Sequence, residues 1–322
     1  MMDSKIKGLA FCSLVALFAS SQAFAHTGVR DKVTAGAASY NGFTITHSCG
    51  GGADGVSYPV IGQAALFPFG ALTVWKWKSD KVVPTGTVVP ETELGQGIGS
   101  FGIDTIVKDH TGAALPDAGI NLQVTGYSGG SPFASSFEIF DDKGNVQGLL
   151  WKDGAMPNNM NAVTPFKVTG PKISDPCVSA LAVRLGVINY CDVGKNAAND
   201  NSGPYKAPKD AYGRPVRNGT APNSPNFKTI AAGNGDNNRA DWWFKAPHGG
   251  SALYNDIDTL QPSYWSTMTV TNPNAYAKDS AGALACLGGA TRTVIVEPTG
   301  AAFDAYLNEA NTRGFSKGSA GF

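Results

Sequence analysis

Short apolar runs recur along the chain, each broken within a few residues by glycine, proline, asparagine or aspartate. Runs of this length, rich in β-branched and aromatic residues and bounded by turn formers, predict strands. They fall at Phe43–His47, Pro59–Phe67, Leu72–Trp77, Lys81–Val89, Gly102–Lys108, Ile120–Thr125 and Ser136–Phe140. Five more follow, at Val146–Trp151, Pro165–Val168, Leu181–Tyr190, Trp265–Thr271 and Arg292–Val296. Asp142-Lys143-Gly144-Asn145, set between two apolar runs, predicts a hairpin turn. One stretch, Ala301–Ala310, has helical spacing, with Phe303, Tyr306 and Leu307 on one face. Many short strands and almost no helix predict an all-β, sandwich-like fold with long irregular loops.

Composition supports this reading: 40 glycines and 19 prolines in 322 residues supply the turns. The stretch 192–238 is different, rich in Asn, Gly and Pro, with its large apolar residues scattered. It divides the chain into a β-sandwich region at 26–191, a loop at 192–238, and a C-terminal β region of the same domain at 239–322. Asn199-Asp200-Asn201 and Asn234-Gly235-Asp236-Asn237-Asn238 offer oxygen ligands that make calcium a candidate. Asx-rich turns without metal are the alternative.

Residues 1–25 read as a secretory signal peptide. Lys5 and Lys7 precede an apolar core, Gly8–Ala19, too short to span a bilayer, and Ala23-Phe24-Ala25 presents small residues for cleavage. The expected mature chain begins at His26 and is secreted or held at the outer cell surface. No later stretch is long and apolar enough to be transmembrane. With 25 basic and 25 acidic residues the whole chain is balanced. That excludes the basic excess on which nucleic-acid binding depends.

Cys12 would leave with the signal, and Cys49, Cys177, Cys191 and Cys286 would remain. An even number in an oxidising compartment predicts two disulfides, for which three pairings exist. The pairing expected is Cys177–Cys191, closing a short hairpin-like loop, with Cys49–Cys286 tying the N-terminal to the C-terminal region. No CxxC pair is present to suggest a cysteine metal site.

The chain has only four histidines: His26, His47, His110 and His248. After cleavage His26 would carry both a free α-amino group and an imidazole, a chelating pair whose amine has a pKa near ~8. His47 ends an apolar strand and lies two residues before Cys49. His110 and His248 stand at turns. Two or three nitrogens suit cuprous copper better than zinc, which usually takes four protein ligands, or three and water. Met156 and Met160 offer thioethers, although loop packing is the commoner role of such residues.

Several strings resemble one small family. They are His26-Thr27-Gly28-Val29-Arg30-Asp31, Tyr40-Asn41-Gly42-Phe43-Thr44-Ile45-Thr46-His47-Ser48-Cys49 and Pro59-Val60-Ile61-Gly62-Gln63-Ala64-Ala65-Leu66-Phe67-Pro68. Thr164-Pro165-Phe166-Lys167-Val168, Cys177, Val183-Arg184 and Asn189-Tyr190-Cys191 extend the match over roughly residues 26 to 191. They look like the copper-repressible, surface-associated copper-binding proteins of methane-oxidising bacteria (the MopE and CorA group). The resemblance implies a non-enzymatic protein that captures Cu(I) with two histidines and a tryptophan oxidised to kynurenine, beside a surface haem peroxidase-like partner. Here the matching ligands would be His47 and His110, with His26 completing the set. Ile45 stands where the family's tryptophan would precede His47, and His47-Ser48-Cys49 replaces the family's His-Gly-Cys. Trp75, Trp77 and Trp151 are the remaining tryptophan candidates. Two other classes fit the histidine inventory: a copper monooxygenase with an N-terminal histidine, and a structural surface protein without metal.

Overall fold

The computed structural model describes residues 27–46, 49–50, 57–97, 107–108, 123–142, 144–157, 160–191, 239–251, 265–275, 282 and 286–307. The longest strand, β15 (Val178–Cys191), sets the frame. From Leu185 to Tyr190 it is buried at every position, as a strand covered on both faces is, while its first half mixes buried and half-buried positions. Along its first half it pairs with β17 (Ser266–Thr271) and, in parallel, with β18 (Arg292–Pro298). Along its second half it pairs with β6 (Val60–Leu66) and β16 (Arg239–Trp243). Beyond β6 lie β12 (Val146–Gly154) and β11 (Phe133–Phe140). Beyond β18 lie β7 (Thr73–Ser79) and β8 (Thr92–Gln96), and β2 (Val33–Thr34) joins β17, completing a ten-stranded sheet.

A four-stranded sheet packs on this one. Its order is β1 (Gly28–Val29), β3 (Ala38–Ile45), β13 (Ala162–Thr169) and β10 (Gln123–Gly126). Two short pairs complete the strands: β4 (Cys49–Gly50) with β5 (Ser57–Tyr58), and β9 (Val107–Lys108) with β14 (Lys172–Ile173). The sandwich core lies between the sheets. Phe43 packs 4.9 Å from Phe166, 5.8 Å from Trp151 and 6.3 Å from Phe67, ring centre to ring centre.

The outer face of the large sheet is covered by α1 (Gly300–Tyr306), whose Phe303 ring packs, tilted, 4.4 Å from that of Phe244. The approach is close enough that a Cβ on Gly186 of β15 would meet the Phe303 ring at 2.5 Å. Only glycine fits there. β6 is buried along its whole length, and one extra residue changes its register: Tyr190 faces Gly62 while Cys191 faces Val60. Ile61 is that extra residue, and it joins the outer core while Val60 joins the inner one.

The all-β sandwich is the fold the strand pattern predicts, and the 142–145 turn lies between β11 and β12. Asp141 braces it, accepting from the backbone N–H of Asn145 at 2.7 Å and from the Gln147 amide at 3.0 Å. Two expectations are corrected. Lys81–Val89 forms no strand: Thr87 closes a turn back on Pro84, and Val82 and Val88 are 94% and 85% exposed. Its valines favour strand, but Pro84 donates no hydrogen bond and Gly86 takes φ 89°.

The disulfide pairing is the second correction. Cys177 is bonded to Cys286, with their Cα atoms 5.5 Å apart, which removes both Cys177–Cys191 and Cys49–Cys286. The segment expected to fold back as a hairpin is instead the single extended strand β15. Cys177 and Cys191 therefore stand at opposite ends of it, about 45 Å apart at ~3.3 Å per residue. A disulfide needs Cα atoms within roughly 7 Å.

Candidate functional site

The N-terminal segment enters the sandwich beside the end of β3. β1 pairs antiparallel with β3, Gly28 facing Thr44 and Val29 facing Phe43. The Thr44 hydroxyl locks this pairing, donating to the Gly28 carbonyl at 3.1 Å and accepting from its N–H at 3.2 Å. Thr27 thus stands just before the first paired residue of β1, and Thr46 just past the end of β3. His26 and His47 are the chain neighbours of these two threonines and, like His110, lie outside the described residues. Thr46 Oγ1 is buried with no hydrogen-bond partner among the described residues.

Thr27 is 1% exposed, and a buried polar chain explains it. Thr164 of β13 bonds Gln63 of β6. Gln63 donates to the side-chain Oδ1 of Asn189 at 2.7 Å, and the Asn189 side-chain amide donates to the Thr27 hydroxyl at 3.2 Å. Ser266 of β17 donates to the Thr27 carbonyl. These uncharged side chains satisfy one another inside the sandwich, where an unpaired polar atom is costly. They hold the backbone one residue from His26.

The flank of His110 is elsewhere. Lys108 of β9 faces Lys172 of β14, and the Lys172 side chain covers Gly36, just before β3 begins. His47 follows the other end of β3, whose eight residues span roughly 23 Å. Of the tryptophans, Trp151 faces Gln63 across the β12–β6 pair and touches Phe43, four residues before His47. Its indole N–H donates to the Tyr127 carbonyl at 3.2 Å. Trp75 is fully buried, its indole N–H without a partner among the described residues. Trp77 lines a cavity of about 430 Å³ over Cys177 and Cys286. Met156 is core, bridged to Val60 through backbone hydrogen bonds, and Met160 is exposed.

His248 lines a separate cavity of about 510 Å³ with Gln96, Ser251, Thr299 and Asp304. Its Nδ1 lies 2.8 Å from the Gln96 amide nitrogen and its Nε2 3.5 Å from the Glu93 carboxylate. Its backbone carbonyl accepts from Gly300, which ties it to the start of α1.

A charged cluster lies along the first half of β15. Glu297, whose side chain is 4% exposed, bridges Lys76 and Arg184, and Arg184 reaches on to Glu91. Burial works to raise the Glu91 carboxyl, but the hydrogen bond and charge of Arg184, with Lys76 and Lys78, outweigh it and hold its pKa below the ordinary carboxylate value. Burial likewise opposes the Arg184 charge, and its two carboxylate partners more than restore it.

Among the described residues no three His, Cys, Asp or Glu side chains gather as a metal site, and no helix is long and apolar enough to cross a membrane. The signal peptide and the 192–238 loop, with its calcium candidates, lie outside the described residues. Sequence reasoning missed Gln63, Asn189 and Thr27 because neutral side chains scattered over the chain carry no spacing signal. Compared with known proteins, the chain matches no family model, no curated protein and no solved structure.

Proposed function

We propose that this chain is an extracytoplasmic copper-binding protein that captures Cu(I) through His47 and His26. The supporting observation is the β1–β3 register, which carries Thr27 and Thr46, the neighbours of these two histidines, to one edge of the small sheet. Thr27 is held there by Asn189 and Ser266, so part of the ordering cost of capture is met by the fold before metal arrives. The resemblance to the methanotroph copper-binding proteins points the same way. Cu(I) accepts two nitrogens, and the α-amine of a mature His26 would offer a third. The chain binds and carries the metal rather than turning it over. Trp151 of β12 is the tryptophan best placed for oxidation to kynurenine, since it packs on Phe43 of β3, the strand that leads to His47.

His110 is the discriminating residue, because its described flank lies at the other end of β3. Competition titration of Cu(I) against a chelator tests the assignment with four alanine variants. His47→Ala and His26→Ala should each weaken binding by orders of magnitude, since even outer-shell changes cost roughly 10–100-fold. His110→Ala and His248→Ala should bind like the parent. Equal binding by all four variants would sink the proposal, and loss confined to His110→Ala or His248→Ala would move the site. N-terminal sequencing of the exported protein should read His26-Thr27-Gly28. Stoichiometric copper without peroxide-dependent turnover separates capture from a monooxygenase.

A further inference from the structure

Two cysteines of the expected mature chain are left over once Cys177 is bonded to Cys286. The backbone brings these two to the same place. Cys49 opens β4 and faces Tyr58 of β5. Cys191 closes β15 and faces Val60 of β6. Tyr58 and Val60 are two residues apart on one extended run, with Pro59 between them, so both cysteines flank the same short stretch of backbone. β4 comes within 8 Å of β15, Cα to Cα, which puts both cysteines on the β15 side of that stretch.

The distances suit a crosslink. Two residues of strand advance about 6.6 Å, and neighbouring strands lie about 4.8 Å apart. Cysteines facing positions two apart on one run are therefore separated by roughly the 4.4–6.8 Å that a disulfide spans. We propose that Cys49 and Cys191 form a second disulfide, joining the segment that follows His47 to the end of β15. In the oxidation the two thiols lose two protons and two electrons as one S–S bond forms. The electrons pass to the disulfide of an exchange partner, a dithiol–disulfide oxidoreductase, which leaves as a dithiol.

This crosslink gives the copper-binding reading a physical basis without depending on it. Asn189, two residues before Cys191, holds Thr27. One strand end thus anchors the neighbour of His26 by hydrogen bonds and the segment after His47 by a covalent bond.

The experiment is peptide mapping of exported, metal-free, unreduced protein, denatured in the presence of a thiol-alkylating reagent. Trypsin releases the four cysteines on separate peptides: 33–76, 173–184, 185–195 and 279–292. The expected result is a link between 33–76 and 185–195, a second link between 173–184 and 279–292, and no alkylated cysteine in any of the four. Cys191→Ser should then expose one alkylated thiol, at Cys49, while the 173–184 to 279–292 link persists. Alkylation of both Cys49 and Cys191 in the parent protein would overturn the proposal, as would a Cys49 link to any peptide other than 185–195. Copper plays no part in this measurement, so a failure of copper binding and a failure of the crosslink are read independently.

Discussion

The two ends of β15 are held by different physics. At its start, Cys177 is bonded to Cys286, Asp175 pairs with Arg292 at 2.8 Å, and the charges of Arg184, Glu297, Lys76 and Glu91 gather along the strand's first half. At its far end the described side-chain contacts are neutral: Asn189, Gln63, Thr27 and Thr164 share hydrogen bonds in the interior. The first end resists unfolding through a covalent tie and through charges that keep some contact with water. The second depends on every member of a dry polar chain being present. A device for fixing a short N-terminal segment belongs at the second kind of end, where directional bonds set position.

The largest expected effect comes from cutting the covalent tie. Cys177→Ser with Cys286→Ser opens a loop with a sequence separation of 109 and should cost about 2–5 kcal/mol in denaturant unfolding. Asn189→Ala should cost about 1–3 kcal/mol, because it strands the Gln63 amide and the Thr27 hydroxyl in the interior. Since nothing in that chain is ionised, the loss should be the same at acid and neutral pH. A loss that vanished in acid would mean that the two ends are not physically distinct.

Glu91→Gln should give the smallest effect, under about 1 kcal/mol for so exposed a carboxylate. Its pH dependence carries the information. A carboxyl whose folded pKa is depressed adds stability above its unfolded pKa and loses it as pH falls through the folded value. Parent and Glu91→Gln should therefore differ at neutral pH and converge in acid. Equal stability at neutral pH would show that Arg184 gains nothing from Glu91.

Much of the fold was legible because burial writes itself into strands. β6, buried on both faces, reads as an apolar run broken only at Gln63, and β17 alternates buried and half-buried positions along its length. β8 was not legible: Thr92-Glu93-Leu94-Gly95-Gln96 lies at the edge of the large sheet, where backbone pairing decides and side chains stay polar. β1, β2, β4, β5 and β14 are two residues each, too short to show any period. The valines of Lys81–Val89 misled because propensity describes a half-buried surface, and among the described residues no neighbouring strand supplies one. The disulfide pairing failed for a related reason, since nearness along the chain was taken for nearness in space. At the candidate site, the sequence singles out histidines by scarcity. Which histidines have neighbouring backbone at one sheet edge follows from strand register, which has no signature in composition.

β15 also governs when this protein can fold. A chain made from its N-terminus completes β15 before any residue of β16, β17 or β18 exists. Until Ser266–Thr271 and Arg292–Pro298 follow, the strand's first half has two open edges, each a row of unpaired amides and carbonyls. Such edges template pairing with any strand nearby, including the same strand of another copy. Native pairing must wait for partners far along the chain, and topologies dominated by distant contacts fold slowly. Molecules cut short before β18 should therefore aggregate rather than form a smaller sandwich, and the full chain should need holding in an unpaired state while its last strands arrive.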